Sequence, residues 1–252
     1  MLNKLKKIKP KHILEMLVIL ISFIPGMILR LIKRDIWIVA ENGDDAKDNG
    51  YAFFKYAMEN KSKKDIYYVI TKKSIYYDKL KKYNKNLLYK NSLKHNIYTI
   101  ASTKYISSQI GSGLPFPELV FNFQGTFIYR FKSIFLQHGI TQNKVQCLLK
   151  NESKVDLFCC AGNKEYDFVI NELGYNEENA KKTGFCRYDL LKDESKNSNK
   201  ILMMFTWRKQ FENDEKAFLD SKYYSTIQDL IKDTRLSDLL EKENLELYVF
   251  TW

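Results

Sequence analysis

No C-x-x-C pair occurs in this sequence, and four cysteines, three histidines, four prolines and ten glycines are few for 252 residues. Cys159 and Cys160 are neighbours in the apolar run LFCCA. Successive strand residues point to opposite faces, so the two make a poor ligand pair. No histidine lies near a cysteine cluster, which excludes zinc-finger chemistry, and the thiols read as buried or free in a reducing cytosol. A Walker-type G-x-x-x-x-G-K and a dinucleotide-binding G-x-G-x-x-G are both missing, which disfavours an ATPase and a dehydrogenase. Missing too are an RNP-type aromatic motif, an isolated recognition helix and a repeat of solenoid period. Nucleic acid is therefore not expected as a partner. No D-x-D pair has a clear metal spacing. No cofactor is expected, and a need for a divalent metal stays open.

What the sequence does have is ordinary globular composition, 45% hydrophobic and 28% charged, with no sign of wholesale disorder. The length suffices for one large domain or two small ones. The net charge of +11 is unevenly spread. Lys4, Lys6, Lys7, Lys9, Lys11, Arg30, Lys33 and Arg34 face only Glu15 in the first 34 residues. Such a segment suits an anionic membrane surface. Between these charges runs ILEMLVILISFIPGMILRLI, residues 13–32. It approaches the roughly 20 apolar residues of a membrane span, but Pro25-Gly26 interrupts it. Leu14, Leu17, Val18 and Ile21 keep helical spacing. A membrane-surface helix or short anchor, a helix packed on the globular domain and a cleaved signal all fit, although no small-x-small cleavage site follows.

Beyond residue 35, short apolar runs alternate with helical patterns. IWIVA (36–40), IYYVI (66–70), LLY (87–89), KYISS (104–108), SIFLQ (133–137), VDLFCCA (155–161) and KKTGF (181–185) read as strands. Helical patterns cover 51–60, 92–102 and the stretch after Ala161. The runs are apolar throughout, which fits parallel strands covered on both faces. Residues 109–130, with Gly111, Gly113, Pro115, Pro117 and Gly125, have the look of an exposed loop. A polar linker at 189–200 precedes a restart: strand 201–207, a helical stretch at 222–243 and strand 245–252. The expectation is a basic, apolar helix at 1–34, a Rossmann-like domain at 35–190, and at 191–252 the opening of a second such domain that stops before it is complete.

Ligands of open parallel sheets bind beyond the carboxyl ends of the strands. That rule selects the acidic turn after residue 40, with Glu41, Asp44, Asp45, Asp48 and Asn49; His138-Gly139 with Ile140-Thr141; and Thr206-Trp207-Arg208. The glycine after His138 allows a tight turn that leaves the imidazole facing a cleft, though a histidine there also suits a helix cap. The acidic turn could hold a metal, orient a sugar hydroxyl or cap the following helix through Asp48 or Asn49. Arg208 could grip a phosphate bidentately or be a plain surface charge. His12 and His95 read as solvated bystanders.

Taken together, these segments resemble the CDP-glycerol glycerophosphotransferase family, the teichoic acid primases and polymerases. IWIVAENGDDAKDNGYAFFKY followed by IYYVI is similar to the family's first strand, acidic-Asn turn and aromatic helix. IFLQHGITQNKV resembles its strand leading to a His-Gly motif, and KKTGFCRYDLL its G-x-P-R-x-D segment. ILMMFTWR resembles the strand that opens the second domain. Order and spacing hold from about residue 36 to 208.

The resemblance implies a GT-B fold and the transfer of a polyol phosphate, usually glycerol phosphate, from CDP to an acceptor hydroxyl with release of CMP. The implied partners are a CDP-glycerol-type donor, a lipid-linked acceptor and the membrane surface. The implied place is the cytoplasmic face of the plasma membrane, peripheral or N-terminally anchored. His138 matches the first motif histidine, a general base on the acceptor hydroxyl. Asp48, Asn49, Gly139, Thr141, Arg187 and Asp189 are implied to bind acceptor or substrate, and Arg208 phosphate. Cys186 stands where the family has proline, which loosens the turn before Arg187. The family's second motif histidine and donor motifs fall beyond Trp252. A nucleotide-sugar hexosyltransferase of similar architecture, or an inactive acceptor- and membrane-binding remnant, are the competing readings.

Overall fold

The computed structural model describes residues 10–206 and 208–250. The expected cations Lys4, Lys6, Lys7 and Lys9, and the far ends of the strands expected at 201–207 and 245–252, lie outside the described residues. By its internal contacts the chain divides into two compact units, 1–191 and 192–252.

The first unit is built on a seven-stranded sheet. Its strands are β1 (Ile36–Ala40), β2 (Asp65–Ile70), β3 (Leu87–Tyr89), β4 (Lys104–Ser107), β5 (Lys132–Phe135), β6 (Leu157–Cys160) and β7 (Ala180–Lys182). All neighbours pair in parallel, in the order β3-β2-β1-β4-β5-β6-β7. The strand order reverses between β1 and β4, so the crevice at their carboxyl ends is the topological switch point. The apolar runs are continuous because both faces are covered. Ile36, Ile38, Ala40, Tyr67 and Val69 join one buried cluster, while Val39, Ile66, Tyr68 and Ile70 join another on the opposite face. A third cluster, with Phe135, Phe158, Val169 and Leu173, fills the β5–β7 end.

Three helices bear on the site and on the N-terminal surface: α1 (Pro10–Ile32), α2 (Asn49–Glu59) and α3 (Leu93–Ala101). α1 packs on α3, and the contact is close. A Cβ built on Gly26 would lie 2.6 Å from Ile100 Cγ2. Pro25 removes a helical N–H, yet α1 runs through it unbroken, contrary to the interruption expected there; the seating of Gly26 against α3 holds this turn in place. Lys11 and His12 both reach Glu118 at 3.1 Å. At the other end Arg30 donates to the carbonyls of Ile100 and Ile128. The segment Lys11–Ile32 is long and apolar enough to cross a membrane, and only 22% of its most apolar window is buried.

Residues 109–130 differ from the exposed loop expected. They contain a short helix, Pro117–Phe123, and Gly113, Leu114 and Pro115 are buried. Leu114 and Val120 supply the reason, since both join the core cluster beneath α1.

The second unit holds two parallel strands, β8 (Lys200–Met204) and β9 (Glu246–Phe250). The helical stretch between them breaks at Lys232-Asp233 into Lys222–Ile231 and Thr234–Lys242. The break falls where the side chain of Asp233 accepts from Arg235 N and starts a new helix.

His12 and His95 correct an expectation: both are buried, not solvated, and His95 is a core residue. It is fully buried, with Nδ1 accepting from Asn91 N at 3.2 Å. Burial first, and the charge of Lys90 second, push its imidazole down to about 3. An unfolded imidazole, with pKa about 6.5, takes up a proton that the folded one refuses. Its contribution is therefore intact above that pH and shrinks as the pH falls, by about 1.4 kcal/mol per pH unit. Urea unfolding between pH 7 and pH 5 should show this slope in the parent protein and lose it in His95→Gln. An equal slope in the variant assigns the effect to other groups.

Candidate active site

The turn after β1 is organised by a carboxylate. Glu41 is buried, and its side chain accepts from the backbone N–H of Asp48 at 2.8 Å, Tyr51 at 2.9 Å and Lys47 at 3.1 Å. Burial raises its pKa, and those three N–H groups oppose the rise. Gly50 lets the start of α2 settle on β1, because a Cβ there would lie 2.8 Å from Ala40 O. Asn42 accepts from the N–H of Asp44 and Asp45, so the acidic residues are spread along a turn. Among the described residues no group of three His, Cys, Asp or Glu could hold a metal ion. Of the roles open to this turn, the capping one is realised: Asp48 is the N-cap of α2 and accepts from Asn49 N.

Asn49 is completely buried. Its Nδ2 donates to Gln137 O at 2.8 Å, and its Oδ1 accepts from Arg187 N at 3.0 Å. One amide thus ties the start of α2 to the end of β5 and to the turn 186–190. Arg187 completes the tie. Its Nη1 lies 2.5 Å from Asp48 Oδ1 and 3.1 Å from the carbonyl of His138. The guanidinium lies over the rings of Phe185 and Tyr188. Cys186 packs against the core cluster on that face, within a 3-10 turn, Cys186–Leu190.

His138 stands exposed at the carboxyl edge of the sheet, beside the switch point. Its Nδ1 lies 3.2 Å from Ser108 O, at the end of β4. A carbonyl only accepts, so Nδ1 donates in this contact, and in the neutral ring Nε2 is then the acceptor. Gln137, just before it, has φ of +63° and is buried, a left-handed backbone that non-glycine residues adopt uncommonly. Gln137 Nε2 donates to Cys159 O at 2.6 Å, and Thr141 Oγ1 donates to Gln137 Oε1 at 2.6 Å. Buried Glu165 closes the loop, accepting from Thr141 N at 2.5 Å and Ala161 N at 2.6 Å.

The structure therefore brings together Asp48, Asn49, His138 and Arg187, with Gly139 and Thr141 in the same turn. Asp189 is exposed and stands outside this hydrogen-bonded network. Arg208 belongs to the second unit, is exposed, and lies over Tyr223. Ser108, Gln137 and Glu165 did not stand out in the sequence. No local pattern marks a carbonyl acceptor, a positive φ at glutamine, or a glutamate whose partners are backbone amides.

The geometry can be set beside known proteins. The model of the CDP-glycerol:poly(glycerophosphate) glycerophosphotransferases matches residues 24–248. The minor teichoic acid biosynthesis protein GgaB of Bacillus subtilis (strain 168) is 33% identical over 232 residues, covering 86% of this chain and 25% of that protein. The chain thus spans about a quarter of the length of this relative. The wall teichoic acid polymerase TagF superposes with a TM-score of 0.48 at 12% identity, over 81% of this chain and 58% of that one.

A double-mutant cycle tests the tie. Asp48→Ala and Arg187→Ala should each destabilise the chain, with a coupling of about 1–2 kcal/mol in urea unfolding. A coupling near zero would show that the two side chains act independently.

Proposed function

This chain belongs to the CDP-glycerol:poly(glycerophosphate) glycerophosphotransferase family, and from that premise we propose that it serves the transfer of glycerol phosphate, or a related polyol phosphate, from a CDP-linked donor to an acceptor hydroxyl. In the proposed step the acceptor O–H gives its proton to His138 Nε2. The acceptor oxygen attacks the phosphorus that bears the polyol, the bond to CMP breaks, and CMP leaves with the electron pair. One observation carries the assignment. The Nδ1 contact with Ser108 O leaves an exposed Nε2 lone pair at the switch-point crevice.

The neighbouring residues take graded roles in this reading. Asn49 has both ends of its amide occupied, so it positions the site; Asp48 and Arg187 hold the turn that carries His138. Gly139, Thr141 and Asp189 stand at or near the exposed rim, where an acceptor arrives. Arg208, in the second unit, is proposed as a ligand of donor phosphate. The first unit is then the acceptor side and the second the donor side. The acceptor is proposed to be lipid-linked, and α1 to bring the chain to the cytoplasmic face of the membrane.

The test follows CMP release from labelled CDP-glycerol in the presence of membranes. His138→Ala should lower the rate by roughly 100-fold or more while leaving thermal unfolding unchanged, since the imidazole is exposed. A rate equal to the parent's removes His138 from the reaction. Release of UDP from a nucleotide sugar, with none from CDP-glycerol, would overturn the donor class.

A further inference from the structure

We propose that a basic groove beside β5 and β6 takes the headgroup phosphate of an anionic phospholipid when α1 lies against the membrane surface. This rests on the membrane reading above and adds the headgroup site.

The helix comes first. Leu14, Leu20, Ile24, Ile28 and Leu31 are between 52% and 76% exposed. They leave a continuous apolar face over a rod about 35 Å long. That rod is held to the domain at both ends and in the middle, by Glu118 with Lys11 and His12, by Gly26 against Ile100, and by Arg30 on the carbonyls of Ile100 and Ile128. A helix crossing the bilayer would have to shed these ties. One docked along its length offers its outer face sideways, as interfacial helices do.

The apolar surface continues past α1. Phe127 is 62% exposed, and its ring meets Phe23 edge-on at 5.7 Å. The turn that carries it is tied by hydrogen bonds, with Gly125 N donating to Tyr129 O at 2.9 Å and Gln124 Nε2 to Lys154 O at 2.8 Å. On the same turn opens a groove of about 550 Å³, lined by Gln124, Arg130, Lys132, Lys150 and Lys154. Its one carboxylate, Asp156, already accepts from Lys132 Nζ at 2.9 Å and Ser133 N at 2.8 Å. A phosphate monoanion or diester answers the surplus of positive charge. An acyl layer answers the apolar strip beside it. Only a lipid carries both, so the occupant is the anionic phospholipid.

The experiment is sedimentation of the full chain with vesicles of phosphatidylglycerol in phosphatidylcholine, against vesicles of phosphatidylcholine alone. Each cation near such a surface contributes about 1 kcal/mol, so Arg130→Ala with Lys132→Ala should weaken binding to the anionic vesicles about 30-fold. Binding to the neutral vesicles should not change. The exposed pair Lys63→Ala with Lys85→Ala, of equal charge, should behave like the parent. Leu20→Asp with Ile24→Asp should weaken binding to both vesicles. Parent-like binding by the Arg130/Lys132 variant overturns the headgroup site and leaves the membrane reading standing. No binding of the parent to either vesicle overturns both. If inorganic phosphate binds with the same residue dependence while the two vesicles are not distinguished, the groove serves a soluble phosphate and the lipid assignment falls.

Discussion

The first unit's site depends on one buried amide. Asn49 sits where β1 has turned into α2, and its side chain donates to the end of β5 and accepts from the turn beyond β7. Three segments far apart in sequence meet there in direct contact. A buried amide of this kind is costly to leave unpaired and strongly directional when paired. The arrangement therefore fixes distances as well as supplying stability. The neighbouring Asp48–Arg187 pair works beside it, with both side chains mostly buried and a backbone carbonyl of His138 as the guanidinium's second partner.

This explains why the acidic turn carries no metal cluster among its described residues. Glu41 and Asp48, the carboxylates nearest the crevice, are spent on backbone N–H groups and on Arg187. Their charge is used to shape the start of α2. The positive end of that helix is then faced by its own cap and not by solvent.

The strands were legible in the sequence because burial on both faces writes itself as unbroken runs such as IWIVA and IYYVI, and the sheet of parallel neighbours follows from their alternation with helices. The place of His138 beyond the carboxyl end of a strand was legible because a histidine and a glycine close that strand. Less could be read where the physics is tertiary. The segment 109–130 looks like a surface loop by its glycines and prolines, but Leu114 and Val120 are drawn into the core under α1. Asn49 reads as a cap, and only the folded chain shows its amide reaching residue 187. Gln137 gives no sign in the sequence of a left-handed backbone, since tertiary hydrogen bonds, not its own preference, hold it there. Nor did the sequence show α1 packing on α3, because that packing turns on Gly26 meeting Ile100.

For the general base proposed above, the hydrogen bond from His138 Nδ1 to a main-chain carbonyl limits proton traffic. In serine-protease-like triads the second ring nitrogen faces a carboxylate that steadies the charged imidazolium. Here it faces a neutral, fixed dipole that cannot take up a proton. A proton gained at Nε2 has no exit through the ring into the protein and must leave by the nitrogen through which it entered. The imidazole is then a single-ported store, emptied only toward the crevice. Its recharging is governed by what occupies that opening, whether product or water, and not by any relay in the interior.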